Sequence, residues 1–496
     1  MTEQTYRHKA YHFCEHMRTG QTSVIYLISK FTGSVLGFIA TIYFARLLGE
    51  EILGYYGITL AVVSWLGIIG SVGFGQAIIK RISEGKEPEA YLTAGLLIKG
   101  SLLTTVSFGV FAFREQLNSY VGAPVSSFVV LILFSHFFLT LVKSSLQGYH
   151  LVHIYAPLST AKEGIRSATM IFLVYFGWEL SGMLFGYATG TILVSLIGIW
   201  IIKPHFTTPN IDHFKSLFNF AKFSWLGSMQ KKTFSDVDIL VLGVFVSAGF
   251  TGVYVVAYSL AKFLDIFASA LQTTLFPELS KLSAIGDTDM IRTLTNDALT
   301  YAGLFVIPGI IGSAILGDRL MRVYGPGFEI GAQVLTILLV GILAYSYNKQ
   351  LLNTLNAIDR PDLAFRSNIV FILTNVTLNV ALIYTYGWIG AAVATALSAF
   401  VGFIFSFYYT KAYVQFHVPY REMIFQWIAA IGMGVLVYWA RIYSEPSWLA
   451  DYNTPFVVSL VGLGALAYFS ILFTISSTFR QTISRNIPLT IPLISK

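Results

Sequence analysis

The sequence predicts an all-α polytopic membrane protein with about 14 transmembrane helices. Three observations lead there. Of the 496 residues, 55% are hydrophobic and only 11% are charged. An ordinary soluble domain carries roughly 25% charged residues. Apolar stretches of the length needed to cross a bilayer, about 20 residues each, recur almost without interruption. These runs are continuous, whereas a membrane barrel shows alternating segments of about ten residues. The same figures exclude a cytosolic enzyme, a secreted disulfide scaffold and a disordered chain. Cys14 is the single cysteine, so there is no intramolecular disulfide.

Residues 1–21 form a polar juxtamembrane segment, with no apolar run ahead of a small-residue cleavage site. The first span is therefore expected to act as its own insertion signal. Spans follow at 22–45, 53–79, 92–113, 125–147, 154–177 and 180–203, a six-helix N-terminal lobe over 22–203. A second six-helix lobe, 204–412, holds spans at 217–245, 249–276, 299–324, 329–349, 364–386 and 388–412. Residues 413–496 add two helices, 421–443 and 455–478, and a tail. Val and Ile are frequent in these spans. In lipid each segment must satisfy its own backbone hydrogen bonds, which overrides their strand preference. The longest polar interruption, Pro277 to Ala298, reads as an amphipathic connection on the cytoplasmic surface.

Basic residues orient the chain. With the N-terminus in the cytoplasm, cytoplasmic loops and helix ends carry 20 Lys and Arg. External ones carry 5: Arg46, Arg114, Arg319, Arg322 and Arg441. The bias holds in each half of the chain, so both termini are expected in the cytoplasm of a multi-pass cell-membrane protein. The net charge of +7 then reflects orientation, and no nucleic acid partner is expected.

The halves repeat weakly. Gly54-Tyr55-Tyr56 opens the second span and Gly252-Val253-Tyr254 the eighth. Tyr175-Phe176-Gly177-Trp178 closes the fifth span and Thr385-Tyr386-Gly387-Trp388 the eleventh. A six-plus-six duplication enters the membrane twice from the same side, a parallel repeat with a cavity between two rocking lobes.

The C-terminal half carries Leu320-Met321-Arg322-Val323-Tyr324-Gly325-Pro326-Gly327-Phe328, then Leu355-Asn356-Ala357-Ile358-Asp359-Arg360-Pro361. Asn375, Leu378-Asn379, Tyr386-Gly387-Trp388-Ile389-Gly390-Ala391-Ala392 and Ala394-Thr395 follow. The first half contributes Phe44-Ala45-Arg46-Leu47-Leu48-Gly49. Together these resemble the polysaccharide transporters of the multidrug/oligosaccharidyl-lipid/polysaccharide exporter superfamily, which include the O-antigen flippases. Physically, Gly325-Pro326-Gly327 forces a turn. Gly387, Gly390, Ala391 and Ala392 let helices approach closely, and Asn375 and Asn379 suit hydrogen bonds across helices. The resemblance implies a fourteen-helix flippase and no enzyme. Its cargo would be an oligosaccharide on a polyisoprenyl phosphate or diphosphate, moved from the cytoplasmic to the outer leaflet. The opening segment resembles archaeal members, which would make the carrier dolichol-based and the glycan one for protein glycosylation. In bacteria the carrier would be undecaprenyl-based. Partners are then this lipid-linked oligosaccharide, membrane lipids and glycan-assembly enzymes, with the protein itself a monomer. The alternative is a cation-coupled drug exporter of the same superfamily. A membrane glycan polymerase or glycosyltransferase comes third, because no large external loop carries paired carboxylates.

Charges within spans are costly, about 2.5–3.5 kcal/mol each on insertion scales. The basic ones are Lys30, Lys99, Lys162, Arg166, Lys231, Lys232 and Lys262. Asp236 lies one turn after Lys232, and Asp265 three residues after Lys262, so both can pair along a helix. A phosphate drawn through the membrane needs cations to replace its hydration. The resemblance implies that the first, second, seventh and eighth spans face the cavity. Lys30, Lys231, Lys232 and Lys262 are then the candidates for the headgroup phosphate, with Arg46 at the outer mouth. Asp236, Asp238 and Asp265 are candidates for ion coupling or for permanent counter-ions, the latter being favoured. Lys162, Glu163 and Arg166 suit structural pairing or lipid headgroup contact. His8, His12, Cys14 and His16 have metal-ligand spacing, but a juxtamembrane amphipathic segment explains them more simply. No nucleotide loop is present, so no metal and no cofactor is expected.

Overall fold

The computed structural model describes residues 19–69, 73–149 and 151–486. Among these residues every regular element is helical. The sequence cluster His8, His12, Cys14 and His16 lies outside them. Nine helical segments among the described residues are long and apolar enough to cross a membrane, or ten if one bent pair counts as a single span. The protein is therefore a multi-pass membrane protein.

By its contacts the chain falls into two compact units, Met1–Val244 and Phe245–Lys496. The lobe boundary expected from the sequence is at 203/204. The first unit holds α1 (Thr19–Ile69), α2 (Phe74–Ser83), α3 (Pro88–Ala112), α4 (Arg114–Val121), α5 (Ser126–Gly148), α6 (Val152–Tyr175), α7 (Glu179–Ile202) and nearly all of α8 (Ile211–Phe245). The segments α6 and α8 are not among the nine. They are the two that carry Lys162, Glu163 and Arg166, and Lys231, Lys232, Asp236 and Asp238.

One apolar cluster of this unit joins Phe74, Ile78 and Ile82 of α2 to Leu92 of α3, Leu141 of α5 and Leu217 of α8. A second joins Val142 and Leu146 of α5 to Leu158 of α6 and Val194 of α7. Between helices in lipid the tails are as apolar as leucine, so close packing and interhelical hydrogen bonds hold such elements together. Gly190 of α7 illustrates the packing. A Cβ there would come within 2.7 Å of the Arg166 backbone on α6. Tyr120 of α4 supplies a hydrogen bond, donating to the Leu240 carbonyl of α8 at 2.6 Å.

The second unit holds α9 (Ala248–Leu264), α10 (Ile266–Ile285), α11 (Thr288–Ala302), α12 (Val306–Arg322), α13 (Ala332–Ala357), α14 (Pro361–Val414), α15 (Tyr420–Ser444), α16 (Asn453–Ile475) and α17 (Ser477–Asn486). The pair α9 and α10 is bent by 46° at Asp265. The sequence ends the eighth span at residue 276, and α10 runs on through Pro277 to Ile285. The chain turns instead at Gly286, whose φ is 75°. Asp287 then caps α11, its carboxylate accepting from the Met290 amide at 3.0 Å.

Two helices are interrupted where the sequence places junctions between spans. In α1 Gly49 has φ 77° and ψ −177°. In α14 Gly387 has φ 59° and ψ −142°. Both conformations are open to glycine and strained for other residues. Gly387 was expected to serve close packing, yet no neighbour lies within 4 Å of its would-be Cβ, so backbone freedom is what it provides. Beyond it the two limbs of α14 lie against each other. Asn375 donates to Ser398 at 2.9 Å, and Ser367 donates to the Gly402 carbonyl at 3.2 Å. Asn375 thus bonds across limbs as expected, while Asn379 donates to the Asn375 carbonyl one turn back.

Helices α15 and α16 dock on α12. Leu316 of α12 shares an apolar cluster with Met433 and Val437 of α15 and Phe456 and Leu460 of α16. At one end Arg441 makes a two-pronged pair with Asp318 at 2.9 and 2.8 Å. Arg319 reaches Glu445 at 2.8 Å, and its carbonyl accepts from Asn453 at 3.0 Å. These contacts tie both C-terminal helices to the unit.

Candidate functional site

The charges that the sequence places within spans are gathered into compact clusters on the helices. In the first unit Lys232 and Asp236 lie one turn apart on α8, with Nζ and carboxylate 3.9 Å apart. Ser64 of α1 bridges them. Its hydroxyl donates to Asp236 Oδ2 at 2.5 Å and accepts from the Lys232 ammonium. The side chain of Lys232 is 43% exposed. The expected pairing is therefore present, with a hydroxyl from another helix between the partners.

On α6 Glu163 sits between two cations. Its oxygens meet Lys162 Nζ and Arg166 Nη2, each at 2.7 Å. One carboxylate cannot neutralise both, so this group carries net positive charge. The Arg166 guanidinium lies 5.1 Å from the Tyr187 ring of α7, a cation–π contact.

In the second unit Asp265, at the bend between α9 and α10, is 6% exposed. Its expected counter-ion was Lys262. Lys349 of α13 holds it, at 2.7 Å to Oδ1 and 2.6 Å to Oδ2. Ser346 donates to Oδ1 at 2.8 Å and Ser269 to Oδ2 at 3.0 Å. Lys349 also donates to Ser269 at 2.9 Å and is 9% exposed. Gln350 and Asn353, on the same face of α13, donate to the carbonyls of Ala268 and Gln272 on α10. The bend is thus braced by a buried ion pair and four neutral polar side chains.

Sequence reasoning missed Lys349 because it ended the tenth span there, as a helix-end lysine. The helix runs on to Ala357. A readable signal existed: Ser346, Lys349, Gln350 and Asn353 repeat at helical spacing, and all are buried. A polar stripe that continues an apolar helix at that spacing marks a buried polar interface.

The other candidates fall as follows. Lys30 is on α1 and Lys231 on α8, but their side chains lie outside the described ones. Arg46 is exposed on α1, three residues before the Gly49 break. Lys262 is exposed on α9, 5.4 Å from the Tyr258 ring. Asp238 is 1% exposed. Lys232 and Asp236 are the candidates that the first unit brings together.

Fold and site together define a multi-pass helical membrane protein that holds charged clusters between its helices. The chain belongs to the polysaccharide biosynthesis protein family, whose profile matches residues 20–283, more than half of it. This agrees with the resemblance read mainly from residues 320–395, outside the matched region. The chain is 28% identical over 474 residues to a Haloferax volcanii protein named Probable flippase AglR, covering 94% of this chain and 98% of that one. A second Haloferax volcanii protein, named a probable low-salt glycan biosynthesis flippase, is 27% identical over 422 residues, covering 85% and 89%. The solved structure of the lipid II flippase MurJ in an inward closed conformation is similar with a TM-score of 0.77. That match covers 93% of this chain and 100% of that one at 18% identity, so the two share a fold.

Proposed function

We propose that this protein is a flippase for an oligosaccharide linked to a polyisoprenyl phosphate or diphosphate. It moves this cargo from the cytoplasmic to the outer leaflet by alternating access, for surface polysaccharide or protein glycosylation. The observation that carries the reading is the cationic group on α6 of the first unit, where Lys162 and Arg166 share the one carboxylate of Glu163. Net cation charge at such depth is costly unless an anion visits it. A headgroup phosphate needs such partners once its water is lost. The names of the relatives support the same reading.

In this mechanism Lys30, Lys231, Lys232 and Lys262 receive the phosphate, and Arg46 attends its departure. Asp236 shares Lys232 with Ser64 at rest and yields it when the headgroup arrives. Asp265 is a permanent counter-ion, since Lys349 occupies both of its oxygens. The proposed topology has both termini in the cytoplasm, two six-helix lobes in parallel repeat and two added C-terminal helices.

The test is translocation of a defined lipid-linked oligosaccharide by purified protein in liposomes, read by access of the glycan to an external glycosidase. Wild-type protein is expected to move the lipid. The double variant Lys231→Ala/Lys232→Ala is expected to insert and fold and to leave it in place. An inert wild-type protein would end the proposal. A double variant of full activity would remove both lysines from the mechanism.

A further inference from the structure

The second unit carries a lateral groove that the proposed mechanism does not use. Its volume of about 730 Å³ lies within the roughly 300–1,000 Å³ of ligand sites. Four helices wall it with apolar side chains, among them Leu299 of α11, Leu343 of α13, Phe400 and Phe407 of α14 and Met423 of α15. Aromatic rings follow one another along it. Centroids lie 6.0 Å apart from Tyr347 to Phe403, 5.8 Å from Phe403 to Phe407 and 5.4 Å from Phe407 to Phe416. The Phe416 ring in turn lies 5.2 Å from the ammonium of Lys411, which lines the groove in the last turn of α14. That ammonium also donates to the Phe416 carbonyl. Both contacts are neutral, and no carboxylate meets Lys411 among the described residues. Glu422, near the start of α15, accepts instead from Ser476 at 2.6 Å. Tyr408 and Tyr420 line the groove as well, and both are exposed.

From Phe400 to Lys411 the groove follows three turns of α14, about 16 Å at the helical rise. That is half of the roughly 30 Å hydrocarbon core, the depth of one leaflet. A spanning helix of a partner needs the full thickness, so the groove is too short to seat one. A lipid chain from one leaflet fits its length. Apolar walls that end at an ammonium without a carboxylate suit an amphiphile with an anionic head, and exposed tyrosines suit the headgroup level.

We propose that this groove holds a resident anionic phospholipid of the bilayer. One hydrocarbon chain lies along α14, and the phosphodiester meets Lys411. The proposal is independent of the flippase reading, whose phosphate-binding residues are on α1, α8 and α9.

The test is photolabelling of the full-length protein in phosphatidylcholine liposomes that contain a trace of phosphatidylglycerol with a diazirine on one acyl chain. Labelled peptides are mapped by mass spectrometry. In the wild type the label is expected to concentrate on residues 400–412 and 418–423. Excess dioleoylphosphatidylglycerol is expected to compete, and excess dioleoylphosphatidylcholine is not. Lys411→Gln should cut the labelling of these segments about tenfold, as loss of one charge-assisted hydrogen bond requires, and leave that of α16 unchanged. Ile404→Trp should fill the groove and cut the labelling with Lys411 still in place. Both positions are exposed, so both variants are expected to fold. Even labelling of all the lipid-facing helices would overturn the proposal, as would wild-type labelling of either variant. Competition by farnesyl phosphate but not by phosphatidylglycerol would give the groove to a prenyl-phosphate cargo and overturn it as well. None of these outcomes depends on translocation, so the two readings fail separately.

Discussion

The Asp265–Lys349 pair offers the most quantitative test of how this fold is held. Both groups are buried, and the carboxylate receives two contacts from Lys349 and one from each of two serines. Replacing Lys349 with Met keeps most of the side-chain volume but strands a buried carboxylate with only hydroxyl donors. Breaking a buried pair from one side costs about 3–5 kcal/mol, because the remaining charge is uncompensated. A unit of this size loses roughly 2–4 °C of melting temperature per kcal/mol, so the drop is on the order of 10 °C. The double variant Asp265→Asn/Lys349→Met removes both charges and should recover most of the loss. The assay is thermal melting of the full-length protein in detergent, run on the wild type, both single variants and the double. A fall of less than about 2 °C in Lys349→Met would refute the reasoning. So would a double variant as unstable as the worse single one, since the cost would then lie in lost packing.

Three further outcomes are expected. Gly387→Ala should cost about 1–3 kcal/mol from backbone conformation alone, since open space surrounds the site. Gly462→Ala, on α16 with ordinary φ and equal space, should be neutral or slightly stabilising; equal melting shifts for the two would contradict this. Ser64→Ala should cost about 0.5–1.5 kcal/mol, and this loss should shrink in an Asp236→Asn background, where the bridge is already weakened. Glu445 is held below the ordinary carboxylate range, first by its hydrogen bond from Arg319 and then by the nearby charge of Arg441. Its contribution is therefore complete above the unfolded carboxylate value and lost as pH falls through the lower folded value. Glu445→Gln should flatten that acid limb of the stability profile, and an unchanged limb would assign it to other groups.

Composition and continuous apolar runs determined much of this protein without any structure: a helical, multi-pass membrane chain. The physical reason is local. Lipid offers the backbone no partners, so a long apolar segment has helix as its stable form. Family membership was also legible, from turn and small-residue patterns spread over the C-terminal half. Local spacing likewise predicted the pairing of Lys232 with Asp236, because residues one turn apart meet on a helix whatever surrounds it.

Tertiary structure decided the rest. Ser64 enters the Lys232–Asp236 pair from a helix that the sequence does not link to it. Lys349 meets Asp265 across 84 residues, a contact that spacing along one helix does not reveal. Helix α10 runs on through Pro277, past the residue where the eighth span was expected to end. Spacing along one helix fixes which neighbours are possible. Which helix lies alongside, and hence which charge is answered and which is left over, follows from packing between segments far apart in the chain.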